Sequence, residues 1–247
     1  MTIAANARGL DAVASGRGGG GGGRGGGRGG RGGGRRGGRG GRGKTKTRRA
    51  RVRVNKAAMA DQVRLPPVTL GSRVPELIVF DLDDTVWFPE LYMMCGAPWS
   101  KDELGRVTDV CGEELAVYPA AREALKMIHT HEAFEGTRVA VASRTNRAQW
   151  AREAMKLQVI APGVTLQDVA GDLAEIYPGS KRKHLASLRE KTGVPYHRMC
   201  FFDNEGINVE EVAQLGVTSV YCPGGMSQGA WEEGLRKYAR RAEDTKG

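Results

Sequence analysis

Aromatic side chains, paired cysteines and long apolar runs are all scarce in this sequence. Aromatic residues make up 6% of the chain, and none precedes Phe80. No apolar run approaches the roughly 18 residues of a membrane-spanning helix, so we expect no membrane partner. None of the four cysteines belongs to a CxxC pair: Cys95, Cys111, Cys200 and Cys222. We therefore expect neither a zinc site nor a disulfide framework, and a reducing compartment is favoured.

Acidic residues are also rare near the start of the chain, where positive charge accumulates. Residues 1–56 hold 16 Lys and Arg side chains and one acid, Asp11, whereas the rest holds 22 basic and 27 acidic side chains. Every residue from 16 to 43 is Gly or Arg. Such a segment has no apolar surface whose burial could offset its conformational entropy, so we expect it not to fold. The sequence predicts a disordered basic tail and linker over residues 1–67, followed by one domain over residues 68–247.

Beyond the tail, short apolar runs alternate with helical patterns. The apolar runs predict buried strands at residues 77–80, 139–142, 199–202 and 219–222. The helical patterns predict five helices. The first begins at Pro119, and the others span residues 146–157, 180–192, 207–215 and 227–241. This alternation predicts an α/β fold with a doubly wound parallel sheet. The alternating pattern of residues 104–118 predicts a β-hairpin that would form a small flap. The segment 158–175, between the second and third predicted strands, is too short to hold a large cap domain.

Reactive side chains follow the predicted strands, at the point where each strand ends. Asp81 and Asp83 follow the first strand two residues apart, so both carboxylates face one side. Ser143 ends the second strand, Asp203 ends the third, and Lys181 opens the helix between them. Because ligands of such sheets bind beyond the carboxyl ends of the strands, we expect these groups to meet there. Two neighbouring carboxylates repel each other, so the pattern indicates a bound cation or a shared proton.

The run VFDLDDTVW around Asp81 resembles the first signature of the haloacid dehalogenase superfamily of phosphotransferases. Ser143, Lys181 and Asp203 match its second, third and fourth motifs in the right order. The phrases ASRT, IYPGSK, TGVP, FFD, LGVT and GMS resemble the magnesium-dependent phosphatase subfamily, whose members have no large cap domain. The resemblance covers about residues 75–238, and it implies a Rossmann-like fold and a Mg²⁺-dependent phosphatase.

The resemblance also implies a role for each carboxylate. Asp81 would be the nucleophile that forms an aspartyl-phosphate, and Asp83 would protonate the leaving oxygen and then activate water. Mg²⁺ would bind a carboxylate oxygen of Asp81, the backbone carbonyl of Asp83 and a carboxylate oxygen of Asp203. The ion would offset the repulsion between the substrate and the nucleophile.

The remaining motif residues are expected to bind the phosphate. Ser143 and the backbone N–H groups that begin at Leu82 would hold phosphate oxygens, and Lys181 would supply a positive charge. Lys183 is an alternative for the third motif, although Lys181 has the favoured place after PGS. Arg144 would either contact the phosphoester or lie over the end of the sheet, and the sequence leaves both open.

One motif position departs from the family pattern. Many relatives carry a second acid after the fourth-motif aspartate, whereas Asp203 is followed here by Asn204. Asn204 can accept a hydrogen bond or approach a metal-bound water, but it lacks the charge of a carboxylate, so we expect weaker metal binding. Glu205 is the alternative that would compensate for the missing charge.

The sequence thus predicts a Mg²⁺-dependent phosphomonoester hydrolase, with protein-tyrosine-phosphatase-like activity or activity on exposed sugar phosphates. The expected partner is a phosphorylated protein or a small phosphomonoester, and we expect a monomer. The competing hypothesis is an RNA-binding protein that uses the Arg-Gly tail on a degenerate phosphatase scaffold. We expect it in the cytoplasm or nucleus, with mitochondrial import as the alternative because the start of the chain contains arginine and few acids.

Overall fold

A computed structural model describes residues 73–244 of the chain, so the predicted tail and its boundary at residue 67 lie outside the described residues. The strands are β1 (Leu77–Phe80), β2 (Trp87–Phe88), β3 (Ser100–Lys101), β4 (Val107–Thr108), β5 (Ala116–Val117), β6 (Arg138–Ser143), β7 (Val159–Ala161), β8 (Val164–Thr165), β9 (Ala174–Ile176), β10 (Met199–Asp203) and β11 (Thr218–Tyr221). The helices are α1 (Pro119–Thr130), α2 (Ala148–Leu157), α3 (Leu166–Ala170), α4 (Lys181–Thr192), α5 (Gly206–Ala213) and α6 (Gln228–Asp244). None of these helices has the length and apolar character needed to cross a membrane.

Five strands form one parallel sheet in the order β11-β10-β1-β6-β9, with β1 in the middle. The register pairs Phe80 of β1 with Phe202 of β10 and with Val141 of β6. Asp81 and Asp203, one residue further along, therefore occupy equivalent positions at the carboxyl ends of neighbouring strands. The N–H of Asp81 donates to the carbonyl of Phe202 at 3.0 Å and fixes this alignment. The predicted parallel sheet, with Asp81 after its central strand, is confirmed.

Strand β1 is apolar on both faces because helices cover both sides of the sheet. Ile78 and Phe80 pack in a layer with α1, α2, α3 and α6. Leu77 and Val79 point to the other layer, which α4 and α5 complete. Helix α1 begins with Pro119, where a proline costs no helical hydrogen bond, and it buries the apolar stripe that the sequence predicted. The doubly wound arrangement is therefore confirmed.

Several short elements are absent from the sequence prediction, among them strand β9 of the main sheet and helix α3. Strand β9 has only three residues, and the buried Glu175 is the middle one, so no apolar run marks it. Lys191 Nζ lies 2.6 Å from Glu175 Oε1 and compensates the buried charge. The five-residue helix α3 is fixed by a capping box in which Thr165 and Asp168 exchange hydrogen bonds. Hydrophobic periodicity detects neither element, because both depend on polar contacts.

The segment between β2 and β5, residues 89–115, is the flap. Strands β2 and β5 pair antiparallel at its base, and β3 pairs antiparallel with β4 inside it. The predicted hairpin around Gly112 is present as a turn across which Thr108 pairs with Glu114. The predictions of a small flap and of no large cap domain hold for the part of the chain that the structure describes.

Two cysteines of the flap, Cys95 and Cys111, form a disulfide, so the expectation that the cysteines stay unpaired is wrong for them. They lie 16 positions apart in the sequence. The carboxylate of Asp109 brings their backbones together, because it accepts the N–H of Cys95 at 2.7 Å and that of Cys111 at 2.9 Å. Cys200 and Cys222 are free and buried, as expected. The spacing of the cysteines did not predict this disulfide, because hydrogen bonds to Asp109 bring Cys95 and Cys111 together and no short CxxC interval does.

The flap contacts helix α2 through two aromatic residues. Trp99 Nε1 donates to the carbonyl of Trp150 at 3.0 Å. Gly96 has φ +92°, and a Cβ atom at this position would lie 2.3 Å from the ring of Trp150. Glycine is therefore needed at residue 96 both for its backbone conformation and for the close approach of the indole.

Candidate active site

The carboxyl ends of β1, β6 and β10 and the start of α4 surround a cleft of about 490 Å³. Six residues that the sequence predicted as site residues line this cleft: Asp81, Asp83, Ser143, Arg144, Lys181 and Asn204. The flap adds Glu90 and Tyr92 to its wall. Asp203 is fully buried and reaches the site through its contact with Lys181. The edge of the sheet therefore brings together the side chains that follow its strands.

The start of helix α4 decides which lysine faces the cleft. The hydroxyl of Ser180 accepts the N–H of Arg182 at 3.1 Å and caps the helix. Lys181 is the first helical residue, and it is buried, whereas Lys183 is exposed to solvent. The structure thus places Lys181, not Lys183, at the cleft.

Lys181 links the carboxylates that follow β1 and β10. Its Nζ lies 2.5 Å from Asp81 Oδ1 and 3.0 Å from Asp203 Oδ2, and it also donates to the carbonyl of Ala142 at 2.5 Å. Burial opposes the charged form of the lysine, but the two carboxylates outweigh burial and raise the pKa of Lys181. We call Asp81, Lys181 and Asp203 the charged floor of the cleft.

The charged floor carries more negative than positive charge. Burial is the largest cause that raises the pKa of Asp81 above its ordinary value. The ammonium of Lys181 lowers this pKa, while the charges of Asp203 and Asp83 raise it further. A single ammonium therefore does not neutralise the carboxylates around it. The arrangement favours either a further cation or a proton on one carboxylate.

Asp83 lies beside the charged floor and is held through one of its oxygens. Trp87 Nε1 donates to Asp83 Oδ1 at 2.7 Å, and the N–H of Leu91 in the flap donates to the same atom at 3.4 Å. Burial raises the pKa of Asp83, and these two donors offset part of that rise. A carboxyl group that stays protonated to higher pH than usual suits general acid catalysis. Trp87, the donor to this carboxyl group, is fully buried.

Sequence reasoning missed Asn208, a buried residue of α5 that holds Asp203. Asn208 Nδ2 lies 3.1 Å from each carboxylate oxygen of Asp203, and 2.8 Å from Glu205 Oε2. The N–H of Glu205 donates to Asp203 Oδ1 at 2.7 Å. Asn208 lies five positions after Asp203, in the first turns of the next helix, and this spacing is the signal that could have identified it.

Arg144 contacts Asn208 and Glu205 at the rim of the cleft. Its Nη1 donates to Asn208 Oδ1 at 3.1 Å and lies 3.4 Å from Glu205 Oε2. Arg144 therefore lies over the end of the sheet and within the wall of the cleft, and its contact with the phosphoester stays a prediction. Glu205 contacts Arg144 and Asn208, which places it at the rim.

Asn204 is tied to the turn that follows β1. Its Oδ1 accepts the hydroxyl of Thr85 at 3.2 Å, and its N–H donates to the same hydroxyl oxygen at 2.9 Å. Thr85 is fully buried, so the pair joins the end of β10 to the turn after Asp81. The amide of Asn204 thus has a structural partner while it lines the cleft.

The predicted phosphate-binding residues Ser143 and Leu82 are placed differently. Ser143 is buried at the end of β6, and its hydroxyl accepts the N–H of Thr145 at 3.3 Å. The side chain of Leu82 belongs to the core, and its carbonyl accepts the N–H groups of Val86 and Trp87 at 2.8 and 3.1 Å. The bonds of the Leu82 carbonyl shape the turn after Asp81, and phosphate binding by Ser143 and by the N–H of Leu82 stays a prediction.

Comparison with known proteins identifies the family to which the chain belongs. Residues 73–241 match the family model described as Acid Phosphatase. Human "Magnesium-dependent phosphatase 1" is 34% identical over 169 residues, which cover 68% of this chain and 90% of that protein. A HAD-like hydrolase superfamily protein of Schizosaccharomyces pombe is 31% identical over 148 residues, which cover 58% of this chain and 83% of that protein. A solved haloacid dehalogenase-like hydrolase from Xanthomonas campestris superposes with a TM-score of 0.47 at 14% identity, over 74% of this chain and all of the other. Because the family model spans more than half of the sequence, the chain belongs to the acid phosphatase family, and its predicted place among the haloacid dehalogenase superfamily phosphatases is confirmed.

Proposed function

We propose that this phosphatase hydrolyses phosphomonoesters with the help of Mg²⁺ and through a phosphorylated Asp81. The observation that carries the proposal is the charged floor, where the buried ammonium of Lys181 contacts Asp81 at 2.5 Å and Asp203 at 3.0 Å. These groups come from two strand ends and a helix start, and they open into a cleft that also contains Asp83. A nucleophile, an acid and a fixed positive charge are thus within one site.

The charged floor fits a magnesium ion. The donors are carboxylate oxygens, which Mg²⁺ prefers, and the surplus negative charge around Asp81 is what a cation would offset. Among residues 73–244, no group of three or more His, Cys, Asp and Glu side chains could hold a metal. A site built from the carboxylates of Asp81 and Asp203, the backbone carbonyl of Asp83, phosphate and water needs no such group. When bound, Mg²⁺ would stabilise the negative charge of the transferring phosphoryl group.

The first half of the reaction depends on Asp81 and Asp83. A carboxylate oxygen of Asp81 attacks phosphorus, a new P–O bond forms, and the bond to the leaving oxygen breaks. Asp83 gives its proton to that leaving oxygen. Because Trp87 and Leu91 both donate to Asp83 Oδ1, the proton of a neutral Asp83 would be carried on Oδ2. The leaving alcohol departs, and the phosphoryl group stays on Asp81.

The second half of the reaction returns the site to its starting state. The ionised Asp83 takes a proton from water, and the water oxygen attacks phosphorus. The P–O bond to Asp81 breaks, inorganic phosphate leaves, and Asp83 is again protonated. Lys181, which contacts Asp81 in this structure, stabilises the negative charge of its carboxylate, while Ser143 and the N–H of Leu82 would hold the phosphate oxygens.

The wall of the cleft bears on the choice of substrate. No large cap domain covers the cleft within the described residues, and its rim carries the exposed Tyr92 beside Glu90, Arg144 and Glu205. An open site of this kind admits a phosphorylated side chain on a protein as well as an exposed sugar phosphate. We propose these two substrate classes.

A phosphoenzyme experiment tests the reaction directly. The full chain is mixed with p-nitrophenyl phosphate and Mg²⁺, quenched in acid after milliseconds, and digested for mass spectrometry. We expect one phosphoryl group on the peptide that contains Asp81, and loss of both the adduct and the turnover after chelation of Mg²⁺. Full turnover with no phosphorylated peptide, or with the phosphoryl group on another residue, would contradict the proposal. Relative kcat/KM for a phosphotyrosine peptide and a sugar phosphate then separates the substrate classes.

A further inference from the structure

The four cysteines of the chain lie in two contrasting environments. Cys95 and Cys111 form the disulfide of the flap, and both residues are exposed to solvent. Cys200 and Cys222 are buried in the core, where burial raises the pKa of both thiols and keeps them in the unreactive protonated form. Thiol chemistry from solution can therefore reach the flap pair and not the core pair.

The disulfide joins two parts of the flap that are also connected by hydrogen bonds to Asp109 and Gly96 and by the pairing of β3 with β4. On one side is the tight turn in which Asp109 Oδ1 accepts the N–H groups of Cys111 and Glu113, each at 2.9 Å. On the other side is Cys95, whose N–H donates to Asp109 Oδ2, and Gly96, whose carbonyl accepts the N–H of Val110 at 3.2 Å. Without the covalent bond, the turn would keep its own hydrogen bonds. The Cys95 side would keep its contacts with Asp109 and Val110, the buried side chain of Met94 and the bond from Trp99 to helix α2.

The Cys95 side of the flap leads directly to the catalytic acid. Four residues before Cys95, the N–H of Leu91 donates to Asp83 Oδ1 at 3.4 Å. Leu91–Met93 form one turn of 3-10 helix, so this donor is close to the tethered residue in a short and ordered segment. Glu90 and Tyr92, from the same turn, line the cleft. A displacement of Cys95 that also moved the buried Met94 would reach both the donor to Asp83 and the cleft wall.

We propose that Cys95 and Cys111 are a reversible thiol–disulfide exchange site for a dithiol reductant, and that the disulfide keeps Asp83 positioned for proton transfer. The role of Asp83 in this inference rests on the proposed function. The exchange site itself rests on the exposure and proximity of the two cysteines, which do not depend on the reaction.

The exchange follows ordinary thiol chemistry. A thiolate of the reductant attacks one sulfur of the disulfide, forms a mixed disulfide and expels the other cysteine as a thiolate, which takes up a proton. The second thiolate of the reductant then attacks the mixed disulfide and releases the remaining cysteine. Two electrons and two protons pass to the protein, and the reductant leaves as its own disulfide. The reverse reaction with an oxidised dithiol restores the Cys95–Cys111 bond.

The first experiment measures the accessibility of the four cysteine thiols to an alkylating reagent and needs no activity measurement. The full chain is treated with iodoacetamide, before or after native incubation with dithiothreitol, and the labelled peptides are identified by mass spectrometry. We expect no label on Cys95 or Cys111 before reduction and label on both afterwards. Cys200 and Cys222 should be labelled only after denaturation. Label on Cys95 or Cys111 without reductant, or protection of both after native reduction, would overturn the exchange site.

The second experiment measures how reduction of the disulfide changes proton transfer by Asp83. Phenyl phosphate has a poor leaving group that needs a proton, whereas p-nitrophenyl phosphate has a good one that needs little help. We expect reduction to lower kcat for phenyl phosphate by about tenfold, the scale of a small misplacement of a catalytic group, with little change for p-nitrophenyl phosphate. Reoxidation should restore the original ratio of the two rates.

A matched variant separates the flap pair from other effects of the reductant. Cys95→Ser/Cys111→Ser should show the reduced ratio of rates at all times and should not respond to dithiothreitol. A ratio that is unchanged by reduction of the parent would overturn the coupling to Asp83. Absence of turnover with both substrates in both redox states would instead overturn the proposed function, while the labelling result would still decide on the exchange site.

Discussion

The charged floor and the flap occupy the same cleft, but they are held in different ways. Asp81, Lys181 and Asp203 come from two strand ends and a helix start far apart in sequence, and all three are buried. The flap is a single segment, largely exposed, that is shaped by the buried carboxylate of Asp109 and by the Cys95–Cys111 disulfide. Changes in the floor should therefore affect the chemistry of every substrate. Changes in the flap should affect proton delivery, stability and the choice of substrate.

The largest effect is expected from Asp81→Asn in the floor. The variant removes the oxygen anion that we propose attacks phosphorus, so turnover of p-nitrophenyl phosphate should fall by more than about 10³-fold. Lys181 keeps Asp203 as a partner, so the fold should persist. Steady-state kinetics, with far-ultraviolet circular dichroism as the control for folding, checks both statements. Activity within tenfold of the parent would mean that Asp81 is not the nucleophile.

Asp83→Asn should have a smaller effect that depends on the leaving group. Loss of general acid catalysis should slow phenyl phosphate by about 10²-fold or more, and p-nitrophenyl phosphate much less. Burial raises the pKa of Asp83, so its acid form persists above the ordinary range and is lost as pH rises through that pKa. The parent rate for phenyl phosphate should thus decline with rising pH, and the variant should lack this decline. Equal losses for both substrates would exclude Asp83 as the acid.

A pair of glycine variants tests the flap alone. Gly96 and Gly105 both have positive φ, but only at Gly96 would a Cβ atom meet another group, the ring of Trp150. Gly105→Ala should cost about 1 kcal/mol of unfolding free energy for its backbone conformation. Gly96→Ala should cost roughly 1–3 kcal/mol more because of the clash. Urea unfolding measures both, and equal costs would show that the flap does not depend on its contact with α2.

The smallest effect is expected from Asn204→Asp at the edge of the floor. The new carboxylate adds negative charge near Asp203 while its oxygen can still accept the hydroxyl of Thr85. The Mg²⁺ concentration for half-maximal activity should fall by several-fold, because affinity for such ions depends on the number of charged ligands. A magnesium titration of kcat measures this value, with Asn204→Ala as the uncharged control. An unchanged titration would show that the charge of residue 204 does not affect the affinity for Mg²⁺.

The floor was more accessible to sequence reasoning than the flap, for a physical reason. Asp81 follows an apolar run of the kind typical of buried strands, Asp203 ends another, and Lys181 follows a helix cap. Parallel strands then bring such residues to one edge, so topology alone predicts the meeting. The pairing of Cys95 with Cys111 depends on hydrogen bonds to Asp109, and no periodicity of the sequence records them.

Asn208 shows the same limit within the site itself. It is buried and holds both oxygens of Asp203, yet it lies on α5 without an apolar run or a charge to mark it. The roles of Asp81, Asp83, Ser143 and Lys181 in catalysis were assigned from their motif. The structure adds their distances, and the kinetic experiments above address the roles themselves.

The pairing of Phe80 with Phe202 has a consequence for how this protein can change in length. Side chains alternate between the two faces of a strand, so inserting or deleting one residue within β1 or β10 would turn Asp81 or Asp203 away from Lys181. The same change in the turn between β3 and β4 would leave the strand register untouched. Evolution and protein engineering alike should therefore find room for insertions in the flap, whereas the strands of the sheet tolerate substitution but not a change in length.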